Sequence, residues 1–262
     1  MFDLEIIGGG RMGEALLAGL LDAAVVEPDS IVVVEVDEAR RAELVASFPA
    51  IAVVAAPVES ADVVIATKPA GAAVAVAAAV AAGARRVLSI AAGVTTAALE
   101  DAVGGAVPVI RCMPNTPALV GRGASAIAAG AHAGADDVDW ARRILGAVGV
   151  VVEVPEDQID AVTGVSGSGP AYVFMFAEAL RDAGVASGLP VDVAATLAIE
   201  TIVGAAALLA ADRGTPEELR AAVTSPNGTT EAAVGTLEDL GFRDTVERAV
   251  RAAADRSREL GT

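Results

Sequence analysis

Through residue 155 the sequence alternates short runs of valine and isoleucine with helix-spaced segments, and this alternation narrows the fold more than any other feature. The apolar runs fall at residues 4–7, 31–35, 51–56, 62–67, 86–92, 108–113 and 149–155. Helical spacing fills the intervals, notably 70–82, 95–103 and 137–147. Strands that are apolar throughout, separated by helices, predict an α/β domain whose parallel sheet is covered on both faces.

After Pro155 the strand signal stops. Pro170 follows "SGSG" at a helix start, and the pattern "PAYVFMFAEALRDAG" predicts a helix ending at Gly184. Residues 191–212 read as a long helix, apolar nearly all round, with Glu200 its main interior charge. Such a helix must be covered, by a core or by another subunit. Thr215-Pro216-Glu217-Glu218 reads as a capping box, followed by helices at about 229–240 and 243–260. The expected division is therefore a dinucleotide-binding domain over 1–155 and an all-helical domain over 156–262.

The formal net charge of −17 repels phosphate backbones and anionic lipid, so neither nucleic acid nor a membrane is an expected partner. The longest uncharged run, 69–84, is too short to span a bilayer and is expected to be a buried helix. Cys112 is the only cysteine, which suits a reducing compartment; with no basic leader pattern, a cytoplasmic chain is expected.

Gly8-x-Gly10-x-x-Gly13 follows the first strand run and opens a helix. In that context the first glycine permits a tight turn, the second lets backbone approach a pyrophosphate, and the third lets helix and strand pack closely. The pyrophosphate would rest on the N–H groups of the helix start. Glu35 ends the second strand run, 22 residues beyond Gly13. A carboxylate there suits the ribose hydroxyls of NAD and repels a 2′-phosphate, which favours NADH over NADPH. Arg40 and Arg41 follow closely; they read as a solvated helix face, with service to NADP as the alternative. Lys68, the only lysine, stands with Pro69 at the carboxyl end of a strand, where open α/β sheets bind ligands. It is equally compatible with a simple cap on the strand end.

Late in the chain, "TSPNGTTEAA" (224–233) runs a Pro-Asn-Gly turn into a helix start. The N–H groups there lack intrahelical partners and carry partial positive charge. With the hydroxyls of Ser225, Thr229 and Thr230 they make a site for a small carboxylate, or else an ordinary N-capped helix. His132 sits in a polar loop with no second histidine, and no metal site is expected. Asp136, Asp137 and Asp139 read as a helix start. "GVSGSG" lacks nucleophile-elbow spacing, and Ser166 to Pro170 reads as a tight turn beside the cofactor cleft.

"IGGGRMGEAL", "TKP" (67–69), "RCMPNTPALVGRG" (111–123), "AVTGVSGSGPAY" (161–172) and "AVTSPNGTTEAAVGTLE" (222–238) occur in the order seen in pyrroline-5-carboxylate reductase. The chain resembles that family nearly end to end. The resemblance implies a Rossmann-type domain followed by a helical dimerisation domain. It also implies NAD(P)H-dependent reduction of 1-pyrroline-5-carboxylate, an anionic cyclic imine, to L-proline, by homodimers that often assemble into larger rings. It places Gly8, Gly10, Arg11, Met12, Gly13 and Glu35 on the cofactor. It places Lys68, Pro69, Ala91, Ala92, Gly93, Met113, Pro114 and Asn115 on the nicotinamide side. It assigns the substrate carboxylate to Ser225, Asn227, Gly228, Thr229 and Thr230, with Thr230 beside the imine nitrogen. Two departures stand out: Asn227 replaces a glycine of the usual "SPGGTT", and Arg11 stands where asparagine or serine is common. The alternatives are a reductase of a different cyclic imine and a nucleotide-sensing protein of the same fold.

Overall fold

The structure, a computed structural model, describes residues 1–105 and 107–260. The chain divides into two compact units, one of residues 1–168 together with the chain from Arg251, the other of residues 169–250.

The first unit is built on an eight-stranded sheet in the order β3-β2-β1-β4-β5-β6-β7-β8. Its strands are β1 (Phe2–Ile7), β2 (Ile31–Val34), β3 (Ala52–Val54), β4 (Ser60–Ile65), β5 (Arg86–Ser89), β6 (Val109–Met113), β7 (Gly123–Ala129) and β8 (Gly149–Glu153). All pairings from β3 across to β6 are parallel. Between β1 and β4 the order reverses, which opens a crevice at the carboxyl ends of those strands.

The sheet is not wholly parallel as the sequence predicts. β7 runs antiparallel to β6, and β8 pairs parallel to β7, so the last two strands point the other way. β7 has the sequence GASAIAA, which carries no valine or isoleucine run to announce it.

Helices α1 (Arg11–Asp22), α2 (Glu38–Ser47), α3 (Pro69–Ala82), α4 (Thr96–Val103) and α5 (Ala135–Gly146) connect the strands. Leu16, Leu17 and Leu20 of α1, Leu44 of α2 and Trp140, Ile144 and Leu145 of α5 pack with Leu4, Ile6 and Val33 on one face. On the other face Ala72, Val76 and Ala79 of α3 and Leu99 of α4 meet Ile7, Val63 and Ile65. The expected burial of the uncharged stretch at 69–84 holds for one side of α3 only, since Val74 on its outer side is 74% exposed. Three short residues per two turns suffice to seat a helix on a sheet, and alanine elsewhere favours the helix itself.

After β8 the chain forms α6 (Ile159–Val162), which continues into a π-helical turn over Thr163–Gly167. The tight turn expected at Ser166 to Pro170 is therefore a helical junction; glycine and serine there relax a widened turn instead of reversing the chain.

The second unit contains α7 (Gly169–Ala186), α8 (Val191–Ala210), α9 (Pro216–Ala222), α10 (Thr229–Asp239) and the start of α11 (Phe242–Leu260). α7 runs through Gly184 and stops before Gly188, whose φ of +98° suits glycine. Gly184 serves a different purpose: a Cβ there would press on Ala194 of α8. The Thr215 capping box is formed, with Thr215 Oγ1 accepting the Glu218 N–H and Glu218 returning the favour to the Thr215 N–H. α8 is long and apolar enough to cross a membrane by composition. Within this chain only Ala194 and Ala198 of it are buried. Leu197, Ile199, Val203, Leu208 and Leu209 each remain half exposed, an apolar surface that calls for a partner.

Candidate active site

The glycine loop lies at the reversal of strand order. Gly8 has φ of +112°, and a Cβ on it would strike the backbone of Ala66. A Cβ on Gly13 would overlap the carbonyl of Gly8, so only glycine lets α1 start this close to β1. Gly10 differs from both, because a Cβ there would meet nothing within 4 Å. Its glycine is thus not demanded by the protein's own packing, as expected where backbone must admit a ligand. Gly10 is also the N-cap of α1 and supplies no side-chain cap, leaving N–H groups of the first turn available to an anion. Arg11 and Met12 begin the helix, Arg11 exposed and Met12 half-buried against the core.

Glu35 closes the side of this loop. Its Oε2 accepts the Gly9 N–H at 2.9 Å and its Oε1 accepts the Asp37 N–H at 2.9 Å. The two arginines do not form a solvated face. Arg40 donates from Nε to the Gly9 carbonyl at 2.8 Å and pairs with Glu14 and Glu43. Arg41 donates to the carbonyls of Glu35 and Val36, both at 2.9 Å. A loop presenting bare carbonyls and carboxylates to the same small volume draws both guanidinium groups inward.

A cavity of about 210 Å³ is lined by Gly8, Gly10, Val34, Glu35, Ala66, Thr67 and Lys68, among others. Lys68 is the N-cap of α3, with Pro69 at the first helical position. Thr67, directly before Lys68, is a cleft residue that nothing in the sequence around it marks as one. Its Oγ1 is buried without a hydrogen-bond partner, an unmet polar atom in the cleft wall. The glycine geometry, the open space over Gly10 and this hydroxyl together fit a dinucleotide.

Further along the carboxyl edge of the sheet, Ala91, Ala92 and Gly93 form the loop leaving β5, with Gly93 at φ of +78°. Met113 ends β6, followed by Pro114 and Asn115. The Asn115 side chain is already engaged: its Nδ2 donates to the Ser166 carbonyl at 3.2 Å and its Oδ1 accepts the Ala124 N–H at 2.9 Å. It thereby holds the π-helical turn beside this strand end. Cys112, directly before Met113 in the chain, is buried, and its thiol is pushed up to about 12 by that burial, despite a hydrogen bond with Ser125. It is no nucleophile.

In the second unit, Gly228 is the N-cap of α10 and provides no side-chain cap. Thr229 and Thr230 are the first two helical residues, so they do not serve as caps. Asn227 has φ of +58°, the left-handed conformation that asparagine tolerates better than most residues. Its N–H is taken by Glu231 Oε2 at 2.8 Å. The donors left at this tip are the first N–H groups of α10 and the hydroxyls of Ser225, Thr229 and Thr230.

His132 is exposed in its loop. Asp136 and Asp137 lie in the first turn of α5, where Asp137 accepts the Gly134 N–H. Among the described residues no cluster of three or more His, Cys, Asp or Glu side chains is arranged to hold a metal.

A switch-point crevice with a glycine loop fit for a dinucleotide, carried by a chain with a separate helical unit, defines an oxidoreductase of the nicotinamide-dependent class. Residues 156–260 match the family described as pyrroline-5-carboxylate reductase dimerisation, and residues 3–93 match NADP oxidoreductase coenzyme F420-dependent. Pyrroline-5-carboxylate reductase from Synechocystis is 46% identical, covering 98% of both chains. The enzyme of that name from Mycobacterium tuberculosis H37Rv is 43% identical over 99% of this chain and 97% of its own. The structure is similar to a pyrroline-5-carboxylate reductase from Coxiella burnetii, with a TM-score of 0.92, 33% identity, and coverage of 100% and 99%. It is also similar to the Plasmodium falciparum enzyme with NADP bound, at TM-score 0.85, 27% identity, and coverage of 100% and 98%. The chain belongs to the pyrroline-5-carboxylate reductase family.

Proposed function

We propose that the protein reduces 1-pyrroline-5-carboxylate to L-proline with NAD(P)H, the last step of proline synthesis. The observation that carries this reading is the end-to-end match to reductases of that name, in a chain whose glycine loop is shaped for a dinucleotide.

Gly8, Gly10, Arg11, Met12 and Gly13 hold the pyrophosphate, and Glu35 takes the adenine-side ribose. Lys68, Pro69, Ala91 to Gly93 and Met113 to Asn115 line the nicotinamide side. The cofactor, when bound, supplies a hydride to the imine carbon. The α10 tip anchors the substrate carboxylate through its free N–H groups and through Ser225, Asn227, Gly228 and Thr229. In a chain of charge −17 this local positive end is what selects an anion from solution. The Thr230 hydroxyl donates toward the imine nitrogen, and holding donor and acceptor in contact supplies much of the rate.

We infer NADH as the preferred cofactor. Glu35 presents a carboxylate at the end of β2, and Arg40 is committed to Gly9, Glu14 and Glu43 instead of standing free for a 2′-phosphate. We further infer a functional division at 155/156, ahead of the structural division after residue 168, with the C-terminal helices pairing two copies of the chain; the dimerisation match from residue 156 supports it. A cytoplasmic setting accords with the lone buried thiol.

The test is oxidation of NADH and NADPH followed at 340 nm with pyrroline-5-carboxylate, beside a piperideine-carboxylate control. Turnover with the five-membered imine and a lower KM for NADH are expected. Preference for the six-membered ring overturns the substrate, and no substrate-dependent oxidation overturns the enzymatic reading.

A further inference from the structure

A carboxylate outside the cleft joins two of the segments that line it. Glu156, just after β8, reaches residues 60 and 45 positions earlier in the chain. Its Oε1 accepts the Thr96 N–H at 2.8 Å and a hydrogen bond from Arg111 Nη1 at 3.1 Å. Its Oε2 accepts the Thr96 hydroxyl at 2.6 Å. Thr96 is 5% exposed and the Arg111 side chain 6%, so the donors are shielded from water while the partly exposed Glu156 (28%) reaches in to them. Burial alone would push the Glu156 carboxyl up, yet the bonds from Thr96 and Arg111 outweigh it and hold the group below the ordinary carboxylate value.

The two partners are placed to matter. Thr96 is the first residue of α4 and closes the loop that leaves β5 and contains Ala91 to Gly93. Arg111 lies in β6, paired across to Ser89 of β5 and two residues before Met113. Both segments stand on the β4-to-β6 side of the switch point, the half of the crevice opposite Gly8 to Gly13 and Glu35. We propose that Glu156 is a positioning residue for the nicotinamide half of the cleft: by clamping Thr96 and Arg111 together it fixes the loop from β5 against the end of β6. It touches neither cofactor nor substrate and acts through these two residues. The inference rests on the proposed cofactor placement.

The same geometry explains why one carboxylate serves where an amide would not. Arg111 is a buried cation and needs an anion beside it, while the Thr96 hydroxyl donates to the second oxygen, Oε2, which must therefore be an acceptor. Glutamine keeps one acceptor oxygen, puts a donor NH2 where the Thr96 hydroxyl donates, and carries no charge to meet Arg111. In Glu156→Gln the loop exit is released, while the glycine loop, held by Glu35 and Arg40, keeps its own bonds.

The experiment compares the full-length wild type with Glu156→Gln by hydrogen exchange without nucleotide, by binding of ADP-ribose and of NADH, and by turnover. Amide exchange across residues 90–98 is expected to rise about tenfold or more, with residues 8–14 unchanged. Affinity for ADP-ribose should stay within about twofold, while NADH binds roughly fivefold more weakly and kcat falls about tenfold. Unchanged exchange at 90–98, or equal weakening of ADP-ribose and NADH, overturns the proposal. Should Glu156→Gln fail to fold, Thr96→Val decides: it keeps the charge pair and removes only the hydroxyl bond. The same selective pattern at smaller amplitude supports the proposal, and its absence overturns it. A wild type that binds NADH but does not turn over pyrroline-5-carboxylate defeats the functional reading alone, since exchange and binding are read without turnover.

Discussion

The Glu35 carboxylate and the Gly9 N–H meet at 2.9 Å, so the end of β2 is tied directly to the glycine loop. One oxygen of the pair is thereby spent on the protein, and the other on the Asp37 N–H. On the proposed cofactor placement, a ribose diol would meet an acceptor already oriented by backbone, and an additional phosphate would meet a fixed negative charge.

Replacing Glu35 by Ser should therefore change cofactor choice more than stability. A hydrogen bond to a charged group is worth about 1.5–3 kcal/mol, so KM for NADH should rise roughly tenfold or more. KM for NADPH should fall or hold, because the repelling charge is gone. Parallel loss with both cofactors would mean that Glu35 shapes the loop and does not discriminate between them. Steady-state kinetics with each cofactor reads the difference.

Thr230 stands second in α10 and does not act as its cap, so its hydroxyl is available to a ligand. Thr230→Ala is expected to lower kcat and raise KM for the imine, each by about tenfold, from the loss of one hydrogen bond that strengthens as charge shifts at nitrogen. NADH affinity, measured by fluorescence titration, should not move. Wild-type kinetics in this variant would remove Thr230 from the chemistry.

Asn227 occupies the left-handed region at φ of +58°. Asn227→Gly should leave stability within about 0.5 kcal/mol of wild type, since glycine adopts this conformation without steric cost. Asn227→Val should lose about 1–2 kcal/mol and raise KM for the substrate, because a branched Cβ forces the turn out of shape ahead of the anion site. Thermal unfolding of the two variants separates these outcomes.

How much of this was legible in the sequence varies with the kind of signal involved. Strands β1 to β6 and β8 carry short runs of valine, isoleucine and leucine and announce themselves. β7 is built from alanine, serine and glycine around Ile127, and it is a strand because β6 and β8 flank it, a tertiary cause with no local trace. Gly184 looks like a helix stop, but its small size serves the crossing with α8, and Gly188 ends the helix instead. The glycine loop and Glu35 were readable because their spacing is a mechanism in itself. Arg40 reaching back to Gly9, and Glu156 joining Thr96 to Arg111, were not, since nothing in the chain marks residues 31, 60 or 45 positions apart as neighbours.

The half-exposed aliphatic residues of α8 give a direct test of assembly. Ile199 is 54% exposed in the single chain, on a helix within the matched dimerisation region. Ile199→Arg would bury a charge without a partner if that face is covered by a second copy. Sedimentation velocity should then show monomer where wild type shows dimer or larger, with a lower Tm. An unchanged sedimentation coefficient would place the interface on another face.

Glu5 provides the pH test. It lies in the middle of β1, fully buried, with Oε1 accepting the Val58 N–H at 2.9 Å and Oε2 without any partner. Removal from water raises its pKa above the ordinary 4.5, and the single backbone hydrogen bond only partly opposes that. Below about 4.5 the carboxyl is protonated in the folded and unfolded chains alike, and the native state carries no charge penalty there. Between the ordinary value and the raised folded value only the unfolded chain ionises, so stability declines as pH rises across that window and levels off above the folded value. Glu5→Gln keeps an acceptor for Val58 and cannot ionise. Its Tm should exceed that of wild type by about 3 °C or more at pH 8 and converge on it near pH 4. A constant offset across that range would assign the effect to packing, and a variant less stable at pH 8 would show that the buried carboxylate is compensated by its surroundings.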